Sequence, residues 1–230
     1  ENFMPSDIRF SLASKEGSLT VPDVWETETL YEDFTVNATY SYAAKALRLY
    51  DTALTIGGIR VNAQADIAHE DFDKLDMRVD GPVKVWIDEA QQSLIDPLWP
   101  KALRGDNSEE WVVKKMSKGV FKDIELNLDV LVEKTPASDD AQGGWSFDAK
   151  NVLATFAAAN MDIDYRSPLD PAVGVSGTGK FDLNTDELSI DITKGKIGTM
   201  PVSKARMVFD KVVAVGEGGA DLNIDLSAPI

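Results

Sequence analysis

Phe181-x-Leu183, Leu188-x-Ile190-x-Ile192, Met207-x-Phe209 and Leu222-x-Ile224-x-Leu226 mark the stretch from Val173 to Ile230. Between these residues stand mostly charged or small ones: Asp182, Ser189, Asp191, Val208, Asn223 and Asp225. A side chain on an extended strand points to the opposite face from its neighbour, so alternation with period two predicts antiparallel strands with one apolar and one wet face. The chain has no cysteine, a single histidine and no complete catalytic motif. A protein built this way is expected to work through the shape and apolar character of its sheet, not through an acid-base site.

Working outward, the same signature recurs. Phe34-x-Val36-x-Ala38-x-Tyr40-x-Tyr42 alternates, Ala43 to Lys45 reads as a turn, and Leu47-x-Leu49 resumes the strand. Leu54-x-Ile56 then meets Gly57-Gly58, a hairpin signal, before Ile59-x-Val61-x-Ala63-x-Ala65-x-Ile67. Further on, Ile124-x-Leu126-x-Leu128-x-Val130-x-Val132 alternates with Glu125, Asn127 and Asp129, and Met161-x-Ile163-x-Tyr165 leads to a turn at Ser167-Pro168. Strand, turn and strand without long helices between them predict a meander of hairpins, not βαβ units.

Two segments break the pattern. Asp80-Gly81-Pro82 precedes Val83, Trp86, Ile87, Ala90 and Leu94 at helical spacing, which predicts a short helix over 82–92. Val83, Val85 and Ile87 would also suit a strand. After a loop with Pro97 and Pro100, Ser108 is the expected cap of a second helix over 108–118. Glu109 and Glu110 open it, Lys114, Lys115 and Lys118 close it, and Gly119 stops it. An offset of 141 residues lays Tyr40, Tyr42, Leu47 and Leu49 onto Phe181, Leu183, Leu188 and Ile190, with Gly57 and Gly195 following, which is either a repeated unit or chance matching of alternating strands.

Composition bounds the function. The 230 residues carry a formal charge of −16 and a pI near 4.4, which argues against nucleic acid or an anionic membrane surface as a partner held by nonspecific charge. No apolar run approaches the roughly 18 residues that cross a bilayer, and no basic segment followed by an apolar one marks the start. The chain opens inside strand-like sequence, Ile8-x-Phe10-x-Leu12, and the expectation is a segment of something larger.

Several motifs resemble chemistry without completing it. Gly174 to Lys180 has phosphate-loop glycine spacing, but Phe181 stands where Mg²⁺ binding needs Ser or Thr, and a strand follows instead of a helix. Asp182-x-Asn184-x-Asp186 begins like a calcium loop, but Glu187 and Thr193 occupy the positions that need Gly and Glu, so a hairpin turn is expected. His69 lacks a nucleophile elbow to serve and reads as a surface residue. Arg104-Gly105-Asp106 and the sequon Asn37-Ala38-Thr39 read as coincidence. With 39 acids no carboxylate pair stands out as a glycosidase dyad. Small residues in Ala154-x-x-Ala157-Ala158-Ala159 either leave room for a ligand or mark close packing.

Pro97-Leu98-Trp99-Pro100, Trp111-Val112-Val113, Lys118-Gly119-Val120 and Asp123 to Leu128 together resemble the AsmA-like segment of the large YhdP-type bacterial envelope proteins, relatives of TamB. Asp162 to Tyr165, Pro171, Gly177-x-Gly179-Lys180-Phe181, Gly195-x-Ile197-Gly198 and Gly17 to Pro22 are similar to other units of that family. The resemblance implies a segment of a periplasmic protein anchored in the inner membrane. It also implies an elongated, curled antiparallel sheet whose apolar groove carries phospholipid between inner and outer membranes. No catalytic residue or cofactor comes with it.

The expectation is therefore one mainly β, AsmA-like segment over 1–230, with an open groove and two short helices, in which sub-units 1–96 and 119–230 are joined through 97–118. The expected lipid-facing residues are Leu126, Leu128, Val130, Phe181, Leu183, Leu188, Ile190, Leu222 and Ile224. Expected partners are phospholipid or another acyl lipid, flanking segments of the parent chain and other envelope proteins. The alternatives are a closed β-sandwich scaffold of the envelope and, less favoured, a glycan-cleaving enzyme.

Overall fold

The computed structural model describes residues 6–20, 28–69, 78–99, 101, 104–105, 107–135, 144–164, 170–213 and 220–225. The strands are β1 (Asp7–Leu19), β2 (Thr29–Ser41), β3 (Ala46–Ile56), β4 (Ile59–His69), β5 (Arg78–Gln91), β6 (Met116–Ser117), β7 (Val120–Thr135) and β8 (Gly144–Ile163). They continue as β9 (Ala172–Asp182), β10 (Glu187–Ile197), β11 (Met200–Val202), β12 (Lys204–Asp210) and β13 (Ala220–Asp225). All belong to one open antiparallel sheet in the order β1-β2-β3-β4-β5-β7-β8-β9-β10-β12-β13, with β6 beside β8 and β11 beside β10. The predicted meander is the observed topology. β5 and β7, which flank the 97–118 connection, pair directly from Arg78 opposite Glu133 to Gln91 opposite Val120.

Short polar residues interrupt the ladders. Asp33, Asp51, Asp123, Asn151 and Asn160 have φ between 48° and 57° inside or beside strands, where the pairing register shifts. Asn and Asp tolerate this left-handed conformation better than other side-chain-bearing residues, and each bulge bends its strand and adds twist. Asn151 Nδ2 steadies its bulge by donating to Asp129 Oδ2 at 2.7 Å.

The expected helix over 82–92 is not formed; these residues belong to β5. Val83, Val85 and Ile87 lie opposite Leu128, Leu126 and Ile124, so alternation and cross-strand burial prevail over the helical spacing. Asp80-Gly81-Pro82 lies within that strand, paired with Leu131, Val130 and Asp129 of β7. A Cβ on Gly81 would collide with the carbonyl oxygen of Asp66, so β4 and β5 approach here only because the residue is glycine.

The second expected helix exists in shorter form. One α turn (Asn107–Glu109) runs into a π-helical stretch (Glu110–Lys115), and the chain then turns extended at Met116, whose side chain is buried and which pairs with Ile163. Burying Met116 in the sheet ends the helix before Lys118-Gly119, and that pair forms the tight turn into β7, with φ of 56° and 65°. Helical structure among the described residues also includes the 3₁₀ turns Gln92–Leu94 and Asp96–Leu98.

The 141-residue echo has a structural counterpart. In β2–β3, Tyr40 lies opposite Leu47 and Ala38 opposite Leu49; in β9–β10, Phe181 lies opposite Leu188 and Gly179 opposite Ile190. The last turn residue is left-handed in both, Lys45 at 48° and Asp186 at 49°. The glycine that matches Gly57 is Gly198, not Gly195: both have φ of 56° and begin the next turn. The phosphate-loop look-alike lies within β9. Asp182 to Asp186 form the hairpin turn, where Asp182 Oδ1 accepts the N–H of Asn184 at 3.1 Å.

Opposite Gly179 in the sheet stands Phe156, whose ring covers the space a Cβ would take. Gly179→Val should therefore displace this ring and lower stability by about 1–3 kcal/mol, the usual cost of overpacking, read as a lower midpoint in urea unfolding. An unchanged midpoint would mean that the ring position does not matter to the sheet.

Candidate functional site: an apolar sheet face capped by a strap

Residues directly opposite each other in an antiparallel pair share a face. Following the register from the first strand gives an apolar row, Phe10–Ala38–Leu49–Ala65–Val83–Leu128, across β1 to β7. Two residues along β7 a second row begins, Leu126–Ala154–Phe181–Leu188–Phe209, across β8 to β12. The two rows join through Leu126 and Leu128, so one face is apolar from β1 to β12.

The other face is charged. Its cross-strand ion pairs are Arg48–Asp66 at 2.5 Å, Lys84–Glu125 at 2.7 Å, Arg206–Asp191 at 3.4 Å and Lys122–Glu89 at 3.5 Å. Exposed pairs like these contribute little to stability individually. They keep this face wet. The Lys84 ammonium and the Asn127 amide hold the Glu125 carboxyl below the usual carboxylate range, Asn127 contributing most.

Among the expected lipid-facing residues, Leu126, Leu128, Phe181, Leu188 and Ile190 are half-buried on the apolar face, and Val130 is buried opposite Gly81. Leu183 is half-buried in the β9–β10 turn, off the strands, and its N–H donates to Val152 O at 2.9 Å. Leu222 and Ile224 stand in β13 opposite Met207 and Ala205. The small-residue run divides: Ala154 and Ala158 lie opposite Phe181 and Gly177, whereas Ala157 lies opposite Lys122 and Thr178.

Over the β1–β7 part of the face no second sheet is described, although the Gln92–Leu94 turn reaches Gly58 at the β3–β4 hairpin end and Ala38, Ala53, Ile56, Ile59 and Ala65 are buried. Phe10 and Leu12 on β1 remain 44% and 57% exposed. The other end is covered. The helical pieces at Gln92–Leu94, Asp96–Leu98 and 107–115 form a strap, and the Trp111 ring stands 4.9 Å from that of Phe209 on β12. Beneath it, Met116, Phe121, Met161, Ile163, Val175 and Ile192 make the main core. An apolar cavity of about 70 Å³ remains between strap and sheet. Phe156, Met161, Trp111 and Phe209 around it were not among the expected site residues. Phe156 and Phe209 lie in alternating runs that could have flagged them, but nothing local to Trp111 announces its partner on a strand some hundred residues away.

Polar contacts fix the strap. The buried Gln92 amide donates to Val112 O at 3.2 Å and Val113 O at 3.4 Å. Arg104 donates to Asp96 Oδ1 at 2.6 Å and Glu109 Oε1 at 2.9 Å, and the Gly105 N–H donates to Glu109 Oε2 at 2.6 Å. The Gly105 amide first and the Arg104 guanidinium next hold the Glu109 carboxyl below its ordinary range. Arg104 thus has a structural role outside any adhesion tripeptide; Asp106 lies outside the described residues, as do Tyr165 and the expected Ser167-Pro168 turn. His69 is half-buried, with its Nε2 2.7 Å from the Tyr40 hydroxyl, rather than a free surface residue. Among the described residues no cluster of three or more His, Asp or Glu side chains is arranged to hold a metal ion, and no helix is long and apolar enough to cross a membrane.

A carboxyl whose folded pKa is depressed stabilises the fold fully above its unfolded value, about 4.3 for Glu, and loses that contribution as pH falls through the folded value. The strap should therefore loosen in acid before the sheet does. The measurement is Trp111 emission, isolated by difference from Trp111→Phe, followed as pH falls: a red shift is expected below about pH 4, ahead of any loss of far-ultraviolet circular dichroism. Glu109→Gln should show the loosened signal already at neutral pH. Coincident loss of both signals in the parent protein would mean that Glu109 does not control the strap.

In comparisons with known proteins, the chain matches no family model, no curated protein and no solved structure.

Proposed function

We propose that this chain is a non-enzymatic, lipid-shielding module, an AsmA-like segment of a periplasmic protein anchored in the inner membrane, whose apolar sheet face holds phospholipid acyl chains in passage between the two membranes. The observation that carries the reading is the apolar row running from Phe10 to Phe209 across the sheet with no second layer described over β1 to β7. In-strand bulges at Asp33, Asp51, Asp123, Asn151 and Asn160 bend the strands, and we read the bent face as a groove.

The mechanism is passive. Each methylene taken from water onto the face contributes about 0.8 kcal/mol. A wall of half-buried aliphatic and aromatic side chains offers similar contacts at successive positions, so a chain is retained while it slides. The charged face and the headgroups stay in water. Direction of movement comes from outside this segment.

A second reading, an assembly module of the envelope, draws on β1. Its outer edge has no partner strand among the described residues, and Ile8, Phe10 and Leu12 are exposed along it. Such an edge is suited to adding a strand from another chain.

Native mass spectrometry with organic extraction separates the two. Under the proposal the purified protein carries phospholipid or acquires it from liposomes. Leu128→Asp and Ile190→Asp, verified as folded, should each lower lipid occupancy about tenfold or more, since a carboxylate placed against an acyl chain costs over 1.4 kcal/mol. A folded parent protein that carries no lipid and takes none up would reject the lipid reading and favour the assembly module.

A further inference from the structure

The cavity beneath the strap is the covered end of the open apolar face. Ile190, which lines it, lies two residues along β10 from Leu188, and Phe156 lies two residues along β8 from Ala154. The cavity lining therefore continues the Leu126–Ala154–Phe181–Leu188 row of the apolar face. Gly177 and Gly195 contribute no side chains to its wall, and the Trp111 ring, resting on Phe209, closes it from above. Thr178 and Lys196 are the polar residues at its wall. Such a space stays dry, because a buried water needs several polar partners.

Size and lining together select an occupant. The volume of about 70 Å³ is roughly half that of the apolar cavity known to take up benzene, about 150 Å³. It suits the end of one aliphatic chain and neither two chains side by side nor a charged headgroup. Resting on the reading of the face as a lipid surface, we propose that this cavity is a subsite for the methyl end of a single acyl chain, with the Trp111 strap as the stop that orients the lipid. The headgroup then lies toward the uncovered part of the sheet.

The test uses lysophosphatidylcholine, a single-chain and zwitterionic probe that the protein's negative charge does not repel. Its chain is dibrominated either near the methyl end or near the carboxyl end, because bromine quenches indole fluorescence on contact. The Trp111 contribution is the emission lost in Trp111→Phe. The expected result is several-fold stronger quenching of that contribution by the methyl-end probe. Ala158→Leu, which narrows the cavity wall, should abolish the difference while native mass spectrometry still finds bound probe. Equal quenching by both probes, or none while the probe remains bound, would overturn the subsite and leave the lipid face standing. A folded protein that binds neither probe would overturn both. If Ala158→Leu fails to fold, the comparison of the two probes on the parent protein still decides.

Discussion

Hydrogen-bonded pairing between neighbouring antiparallel strands is the constraint on which this structure depends, because a directly paired residue must share its partner's face. Once Phe10 stands opposite Ala38 and Leu126 opposite Ala154, the apolar side chains of successive strands are collected on one side and the ion pairs on the other. A one-residue slip at any ladder would move a whole strand's apolar set into water. The charged face makes such slips costly; the apolar face is what remains to be covered. Most domains cover it with a second layer. Here the strap covers one end.

The bulges reconcile two demands on long strands. β7 and β8 are 16 and 20 residues long, and strands of that length accumulate twist that strains their pairing with both neighbours. Asp123, Asn151 and Asn160 interrupt the ladder where the left-handed conformation is tolerable, and pairing resumes beyond them. The matching registers of β2–β3 and β9–β10, 141 residues apart, show that the same hairpin geometry serves two places in the sheet.

The strap is held differently from the sheet. Its attachments include a buried amide, a guanidinium between two carboxylates, an aromatic contact and the packing of Ile95 and Val112 on the core, where the sheet has continuous backbone ladders. The Lys115 ammonium, 5.0 Å from the Trp111 ring centroid, adds a cation–π contact to that ring.

The alternation of Leu126, Leu128 and Val130, and of Leu188 and Ile190, determined strand identity and the apolar face by itself, because period two is a local property of an extended chain. Gly57-Gly58 and the turn at Asp182 to Asp186 were legible for the same reason: turn chemistry lies within a few residues. The stretch 82–92 was misread because its spacing fits both periods, and only its partners Leu128, Leu126 and Ile124 on β7 settle the matter. The helix over 107–115 was visible in its flanking charges, but its end was set by burial of Met116 against the sheet. Leu183 alternates like a strand residue yet sits in a turn. The placement of Trp111 over Phe209 with the cavity beside it, and the partnership of Arg104 with Glu109, were decided by tertiary structure alone. Trp111 and Phe209 are distant in the chain and meet only through the fold, and Arg104 and Glu109, though five residues apart, are paired by the irregular path of the strap; no local period encodes either contact.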